Sequence, residues 1–252
     1  MATKTILISQ PAPETEKNPY AELAKKYKLK IDFRPFIHVE GIDVKDLRKD
    51  RLNIPEHTAV IMTSRNAVDH FFRICKEIRY QVPDTMKYFC ISESTAYYLQ
   101  KYVVYRKRKI FHGKQKFIEL LDVIKKHKDE KFLLPCSDIH KQEITDVLDQ
   151  HNIKYSKAVL YKTVASDLSD LADIKYDMLV FFSPQGIESL FMNFPKFKQN
   201  KTRIAAFGST TANAVKSAGL RLDLQAPMPN APSMTMAIEH FIKTEKTTEK
   251  EK

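Results

Sequence analysis

The chain carries one strand–helix unit twice, and this internal repeat constrains its fold more than any other feature. In the first half, the apolar run Ala59–Met62 leads into the hydroxyl residues Thr63 and Ser64. In the second half, the apolar run Met178–Phe182 leads into Ser183. A helix-type apolar pattern follows each run. The repeat therefore indicates two similar structural units.

Each half also has a second hydroxyl-rich turn. The first is Ser92-Glu93-Ser94-Thr95, and the second is Ser209-Thr210-Thr211. Taken singly, such hydroxyls are typical helix N-caps, each worth ~1 kcal/mol. Taken together, several helix N-termini at the carboxyl ends of strands form an anion site, because their free N–H groups and dipoles point at one ligand. Open α/β sheets bind ligands at that edge. Two such edges could hold a large polyanionic ligand.

Strand-like runs alternate with helix-like stretches over most of the chain, which predicts an α/β fold of mainly parallel sheets flanked by helices. The predicted strands are 6–8, 31–39, 59–62, 88–91, 132–134, 155–164, 178–182 and 204–207. Two of them, 31–39 and 155–164, are longer than the usual five or six residues. Strands of that length could leave one domain and enter the next.

The formal charge of +11 favours an anionic partner, which could be nucleic acid, an anionic membrane surface or a polycarboxylate. The densest basic cluster is Arg106–Lys109, flanked by tyrosines, and its simplest interpretation is a solvated loop. Three unevenly spaced cysteines indicate reduced thiols. With no signal-peptide pattern and no apolar run long enough to span a membrane, we expect a cytoplasmic protein.

Several kinds of chemistry lack their sequence motifs. The five glycines form neither a dinucleotide fingerprint nor a phosphate loop. The eight histidines are scattered, and no Cys-x-x-Cys occurs, so we expect no metal. No Gly-x-Ser-x-Gly elbow is present for a hydrolase nucleophile. These absences argue against a nucleotide cofactor bound by either glycine motif, against a metal site and against a hydrolase of that type.

Five short motifs, taken in order, resemble those of the uroporphyrinogen-III synthase family, and the resemblance extends from about residue 6 to residue 242. They are Thr63-Ser64-x-Asn66-Ala67-Val68, Ser92-x-Ser94-Thr95-Ala96, Leu160-Tyr161-Lys162-Thr163, Phe181-Phe182-Ser183-Pro184-x-Gly186 and Phe207-Gly208-x-Thr210-Thr211-Ala212. Each motif is short, but their order and spacing together are specific.

The resemblance implies two α/β domains joined by a two-stranded β linker, with a cleft between them. It assigns residues 1–35 and 165–243 to the first domain and residues 39–160 to the second. Residues 36–38 and 161–164 would be the linker strands. Residues 244–252, rich in Lys, Glu and Thr, are predicted to be a disordered tail.

The resemblance also implies the reaction, in which the linear tetrapyrrole hydroxymethylbilane closes to uroporphyrinogen III with loss of water and inversion of ring D. It implies as well that this reaction needs no cofactor or metal. Tyr161 matches the family's active-site tyrosine, and we expect it to assist the departing hydroxyl; the alternative is a packed linker aromatic. The predicted substrate-binding residues are Thr63, Ser64, Asn66, Ser92, Thr95, Ser183, Ser209, Thr210 and Thr211. The expected enzyme is a monomer that acts on a small molecule, with neither nucleic acid nor membrane as partner.

Two positions depart from the family pattern. Many members have an arginine after the first strand and an Arg-Gly after the fifth, where this chain has Gln10 and Cys136-Ser137. Other cations could replace these carboxylate anchors, namely Arg34, Arg65, Lys141 or the cluster 106–109. The missing anchors leave open a non-catalytic polyanion-binding module on the same fold. The basic charge leaves open, less strongly, a nucleic-acid binder, although no motif of that class occurs.

Overall fold

The computed structural model describes residues 3–13, 18–49, 52–139, 142–171 and 175–250. In chain order its strands are β1 Thr5–Ile8, β2 Lys30–Phe33, β3 Ile37–Gly41, β4 Ala59–Met62, β5 Lys87–Cys90, β6 Ile110–His112, β7 Phe132–Ser137, β8 Tyr155–Ala165, β9 Met178–Phe181, β10 Arg203–Phe207 and β11 Leu224–Ala226. Its α-helices are α1 Pro19–Tyr27, α2 Val44–Lys49, α3 Arg65–Glu77, α4 Glu93–Leu99, α5 Leu121–Lys126, α6 Gln142–Gln150, α7 Pro184–Asn193, α8 Ser209–Ser217 and α9 Met234–Lys250.

The chain divides into two units, each with its own sheet. Unit 1 comprises residues 1–38 and 164–252, and unit 2 comprises residues 39–163. The sheet of unit 1 has the order β11-β10-β9-β1-β2, and all four neighbouring pairs run parallel. The sheet of unit 2 has the order β3-β8-β7-β4-β5-β6, with parallel pairing from β8 through β6. The prediction of two mainly parallel sheets flanked by helices is confirmed.

Burial explains why the apolar runs form central strands. Every residue of β4 and of β9 is buried, as expected for a parallel strand that is covered by helices on both faces. Helix α3 buries one stripe of its surface, which includes Val68, Phe71 and Ile74, in the same core as β4. Each unit therefore has helices packed on a hydrophobic sheet.

The segment predicted as one strand over residues 31–39 is instead two strands that belong to different sheets. β2 ends at Phe33, β3 begins at Ile37, and Pro35 lies in the break between them. Proline lacks the N–H needed to continue a strand ladder. Phe36 is buried and packs edge-on against Phe181, with 5.6 Å between ring centroids. The sequence prediction also omitted the short strands β6 and β11.

The C-terminal helix corrects the predicted disordered tail. α9 continues to Lys250, so residues 244–250 are helical, while residues 251–252 lie outside the described chain. The Glu245 carboxylate accepts hydrogen bonds from the backbone N–H of Thr3 (3.2 Å) and from its hydroxyl (2.8 Å). It also forms an ion pair with Arg203. These tertiary contacts outweigh a composition that by itself favours disorder. In the described chain, no helix has the length and apolar character needed to span a membrane.

Candidate active site

The carboxyl edge of the unit 2 sheet brings several predicted residues together. Thr63 and Ser64 follow β4, and Ser92 follows the neighbouring strand β5 by two residues. Tyr161 lies on β8 and is paired in register with Ser137, the last residue of β7. Because parallel strands end at a common edge, the order β8-β7-β4-β5 brings these side chains to one side of the sheet.

Ser64 links a helix N-terminus to Tyr161. It is the N-cap of α3, and its Oγ accepts a hydrogen bond from the N–H of Ala67 at 3.1 Å. The same Oγ lies 3.3 Å from the Tyr161 hydroxyl, and either atom of this pair can donate. Asn66, in the first turn of α3, is exposed to solvent. Ser64 therefore acts as a cap and as a hydrogen-bond partner of the phenol.

The Tyr161 phenol is buried and stays protonated at neutral pH. Only 7% of the residue is exposed. Burial raises the pKa of its hydroxyl, and the hydrogen bond with Ser64 opposes this effect without cancelling it. A neutral phenol can donate a hydrogen bond or a proton. The position is therefore compatible with the acid role and also with the packing role considered above.

His70 of α3 stacks on the Tyr161 ring, and Arg73 of the same helix donates to His70; the sequence prediction missed both residues. The His70 ring stacks on the Tyr161 ring, with 4.9 Å between centroids and 18° between planes. Arg73 donates from Nε to His70 Nδ1 at 3.2 Å. Burial, followed by the nearby Arg73 charge, lowers the pKa of His70, so its imidazole is neutral at pH 7. The spacing of three residues on one helix was the available signal.

Arg73 also ties the α3 helix to the strands beside it. One Nη donates to the carbonyls of Ile42 (2.9 Å) and Leu160 (3.1 Å), and the other pairs with Glu77 at 2.7 Å. The guanidinium lies directly against Gly41, where an added Cβ would come within 2.6 Å of Arg73 Cζ. Glycine at position 41 thus leaves room for the Arg73 guanidinium, which binds the carbonyl of Leu160, the residue before Tyr161.

In the turn after β5, the hydroxyl groups form hydrogen bonds with one another and with the backbone of the same turn. Ser92 is the N-cap of α4, and its Oγ accepts from the N–H of Thr95 at 3.3 Å. That oxygen also lies 2.9 Å from Ser94 Oγ and 3.1 Å from Thr95 Oγ1. Thr95 is buried, whereas Glu93 is exposed. Ser92 and Thr95 therefore stabilise the start of α4 in this structure.

The carboxyl edge of the unit 1 sheet carries the remaining predicted residues. Ser183 is the N-cap of α7 and accepts from the N–H of Gly186 at 3.3 Å. The N-cap of α8 is Gly208, which has a φ of +85° and no side chain with which to cover the helix end. Ser209 and Thr210 are exposed, while Thr211 is buried. The α8 N-terminus therefore presents backbone N–H groups beside two accessible hydroxyls.

The residues considered as partners for substrate carboxylates differ in charge and in existing ion pairs. Cys136 is buried, and burial raises its pKa to about 11, so its thiol is neutral and cannot replace a cation. Arg34 is already paired with Asp170 at 2.8 Å. Arg65 begins α3 next to Ser64 and is exposed, with its guanidinium 5.2 Å from the centre of the Tyr98 ring. Arg65 is therefore a cation at the edge that carries Ser64.

Two further candidates for this role are the cluster 106–109 and Lys141. The cluster 106–109 precedes the first residue of β6 and so lies toward the amino end of that strand. Lys141 falls outside the described residues.

Comparison with known proteins gives one consistent family. A family model described as uroporphyrinogen-III synthase HemD matches residues 18–236. A uroporphyrinogen-III synthase from Chlorobaculum parvum is 22% identical over 262 aligned residues, which cover 95% of this chain and all of that protein.

Two solved structures have a similar fold. The uroporphyrinogen-III synthetase of Helicobacter pylori 26695 has a TM-score of 0.60 at 18% identity, covering 96% of this chain and 99% of that one. A mutant uroporphyrinogen III synthase of Thermus thermophilus has a TM-score of 0.52 at 14% identity, covering 97% of this chain and 99% of that one. With the family match over most of its length, this chain belongs to the uroporphyrinogen-III synthase family, the lyases of porphyrin biosynthesis.

Proposed function

We propose that this chain closes hydroxymethylbilane to uroporphyrinogen III, with loss of water and inversion of ring D, and that Tyr161 is its catalytic acid. The observation that carries this assignment is a neutral, buried phenol at the edge of a parallel sheet, hydrogen-bonded to Ser64 at 3.3 Å. The family match supports the reaction. Departure of the hydroxyl is the step that needs a proton donor.

In the proposed step, the Tyr161 hydroxyl gives its proton to the leaving hydroxyl of the substrate as the C–O bond breaks, and water departs. Ser64 can then donate a hydrogen bond to the phenolate oxygen. Closure of the macrocycle releases a proton from the attacked pyrrole carbon, which restores the phenol. The stacked ring of His70 limits rotation of Tyr161, so the hydroxyl direction is set before substrate arrives.

The sheet edge of each unit binds carboxylates in this proposal. The α8 N-terminus offers backbone N–H groups and the hydroxyls of Ser209 and Thr210 to acetate or propionate side chains. Arg65 replaces one of the family's missing arginines at the unit 2 edge. Holding many carboxylates at once orders the flexible substrate, which closes without inversion when unaided. We further propose that the enzyme is a cytoplasmic, cofactor-free monomer.

The decisive assay is product analysis. The purified chain is incubated with freshly prepared hydroxymethylbilane, and the uroporphyrin isomers are separated after oxidation. We expect isomer III well above the non-enzymatic background. Isomer I alone would reject the synthase assignment, and tight binding of the tetrapyrrole without isomer III would favour the non-catalytic polyanion-binding module.

A matched pair of substitutions at Ser209 tests the use of backbone N–H groups. Ser209→Ala removes only the hydroxyl, whereas Ser209→Pro also removes the N–H at the first helical position, where proline is tolerated. Gly208, with a ψ of 154°, suits a following proline. We expect Ser209→Pro to raise KM about tenfold, the equivalent of one charge-assisted hydrogen bond, and Ser209→Ala to raise it by less than about threefold. Equal effects in steady-state kinetics would contradict the backbone role.

A further inference from the structure

A hollow of about 720 Å³ lies in unit 2, away from the edge that carries Tyr161. One wall is formed by α3, and the others come from the loops that lead into β5 and β6. Tyr88, near the start of β5, and Ile110, the first residue of β6, line it. Because these loops enter the amino ends of the two strands, the hollow lies toward the sheet edge opposite Ser92.

The lining is largely apolar and aromatic. Phe72 and Tyr102 stack with 4.4 Å between ring centroids and 5° between planes, which forms a flat wall. Met86 and Tyr88 are buried behind the surface. Val104, by contrast, is 77% exposed at the rim. A concave apolar lining combined with exposed apolar side chains is typical of a ligand site rather than of ordinary protein surface.

The lining has four cations against the two carboxylates of Asp69 and Asp84, and within the described residues two of the cations have no ion-pair partner. Arg73 and Arg106 also line the hollow, but each is paired, with Glu77 (2.7 Å) and Asp84 (3.4 Å) respectively. For Lys76 and Lys109, the described part of the chain provides no ion pair. Lys109 ends the basic cluster 106–109, which the proposed tetrapyrrole chemistry does not use.

We propose that this hollow binds an amphiphilic anion. Its apolar or aromatic body lies on the Phe72–Tyr102 wall, and its carboxylate, phosphate or sulfonate lies between Lys76 and Lys109. The volume is within the range usual for small-molecule sites, ~300–1,000 Å³. The basic cluster raises the local concentration of anions, which assists capture. The proposal does not depend on the proposed cyclisation, although Arg73 belongs to both places.

Two fluorescent probes of nearly the same shape separate the apolar contribution from the anionic one. The full chain is titrated with 8-anilinonaphthalene-1-sulfonate and with the uncharged N-phenyl-1-naphthylamine. We expect one saturable site for the sulfonate probe. Lys76→Glu combined with Lys109→Glu should weaken its affinity about tenfold and change that of the uncharged probe by less than about threefold.

Two control variants test whether the change in probe affinity arises at this hollow. Lys125→Glu combined with Lys126→Glu makes the same charge change at exposed positions on α5 and should leave both affinities unchanged. Val82→Trp fills part of the hollow and should weaken both probes. The proposal is overturned if Val82→Trp has no effect on either probe, if both charge-reversal pairs act equally, or if the sulfonate probe does not saturate.

Discussion

Tyr161→Phe is expected to lower turnover about 100-fold, the low end of what a positioned general acid contributes, while the fold persists. The substitution removes one hydroxyl and keeps the ring, so the stack on His70 remains. The loss should fall on kcat more than on KM, because the proton is needed as the C–O bond breaks. Isomer-resolved kinetics and thermal unfolding of the same preparation measure both quantities.

Tyr88→Phe is the matched control for this substitution. Tyr88 is also a buried tyrosine of the unit 2 sheet, on β5, and it should tolerate loss of its hydroxyl with turnover unchanged. Ser64→Ala should produce an intermediate loss, since it removes the partner of the phenol and the α3 cap together. Unaltered turnover in Tyr161→Phe would mean that Tyr161 is only a packed aromatic.

Arg73→Met is expected to destabilise unit 2 by roughly 3 kcal/mol, because two backbone carbonyls lose charge-assisted hydrogen bonds worth ~1.5 kcal/mol each. The carbonyls belong to Ile42 and Leu160. His70 also loses the donor that fixes its ring against Tyr161. We therefore expect kcat to fall as well, under conditions where the variant is fully folded by circular dichroism.

A double-mutant cycle separates positioning from stability. If Arg73 acts on catalysis through Tyr161, then Arg73→Met should lower kcat in the wild-type background and cause little further loss in the Tyr161→Phe background. Glu77→Gln removes the exposed ion pair alone and should change stability by less than about 1 kcal/mol. Independent, multiplicative losses in kcat would contradict a positioning role for Arg73.

The parts of the fold that depend on local sequence were predictable. The strands β4 and β9 are buried on both faces and therefore appear in the sequence as continuous apolar runs. The hydroxyls after them cap helices through contacts only three residues away, as for Ser64 with Ala67 and Ser183 with Gly186. Local spacing is enough to specify such contacts.

Features that depend on distant contacts were not predictable. The bond from Arg73 to the carbonyl of Leu160 joins residues 87 positions apart, so nothing near Arg73 reveals it. The polar segment after residue 243 suggests disorder, yet the contact between Glu245 and Thr3 spans 242 positions. In both cases, pairing between charged and polar groups that are far apart in sequence decides the structure, and local sequence patterns do not display such pairing.

The discontinuity of unit 1 has a consequence for how the protein is made. Unit 2 is one uninterrupted stretch, so the ribosome has synthesised all six of its strands by residue 165. β1 is synthesised before any strand of unit 2, yet it lies between β2 and β9 and lacks its second neighbour until residue 178 emerges. Because domains fold as units during synthesis, we expect unit 2 to fold before unit 1. The sheet of unit 1 is completed only after β9 and the strands that follow it have been synthesised.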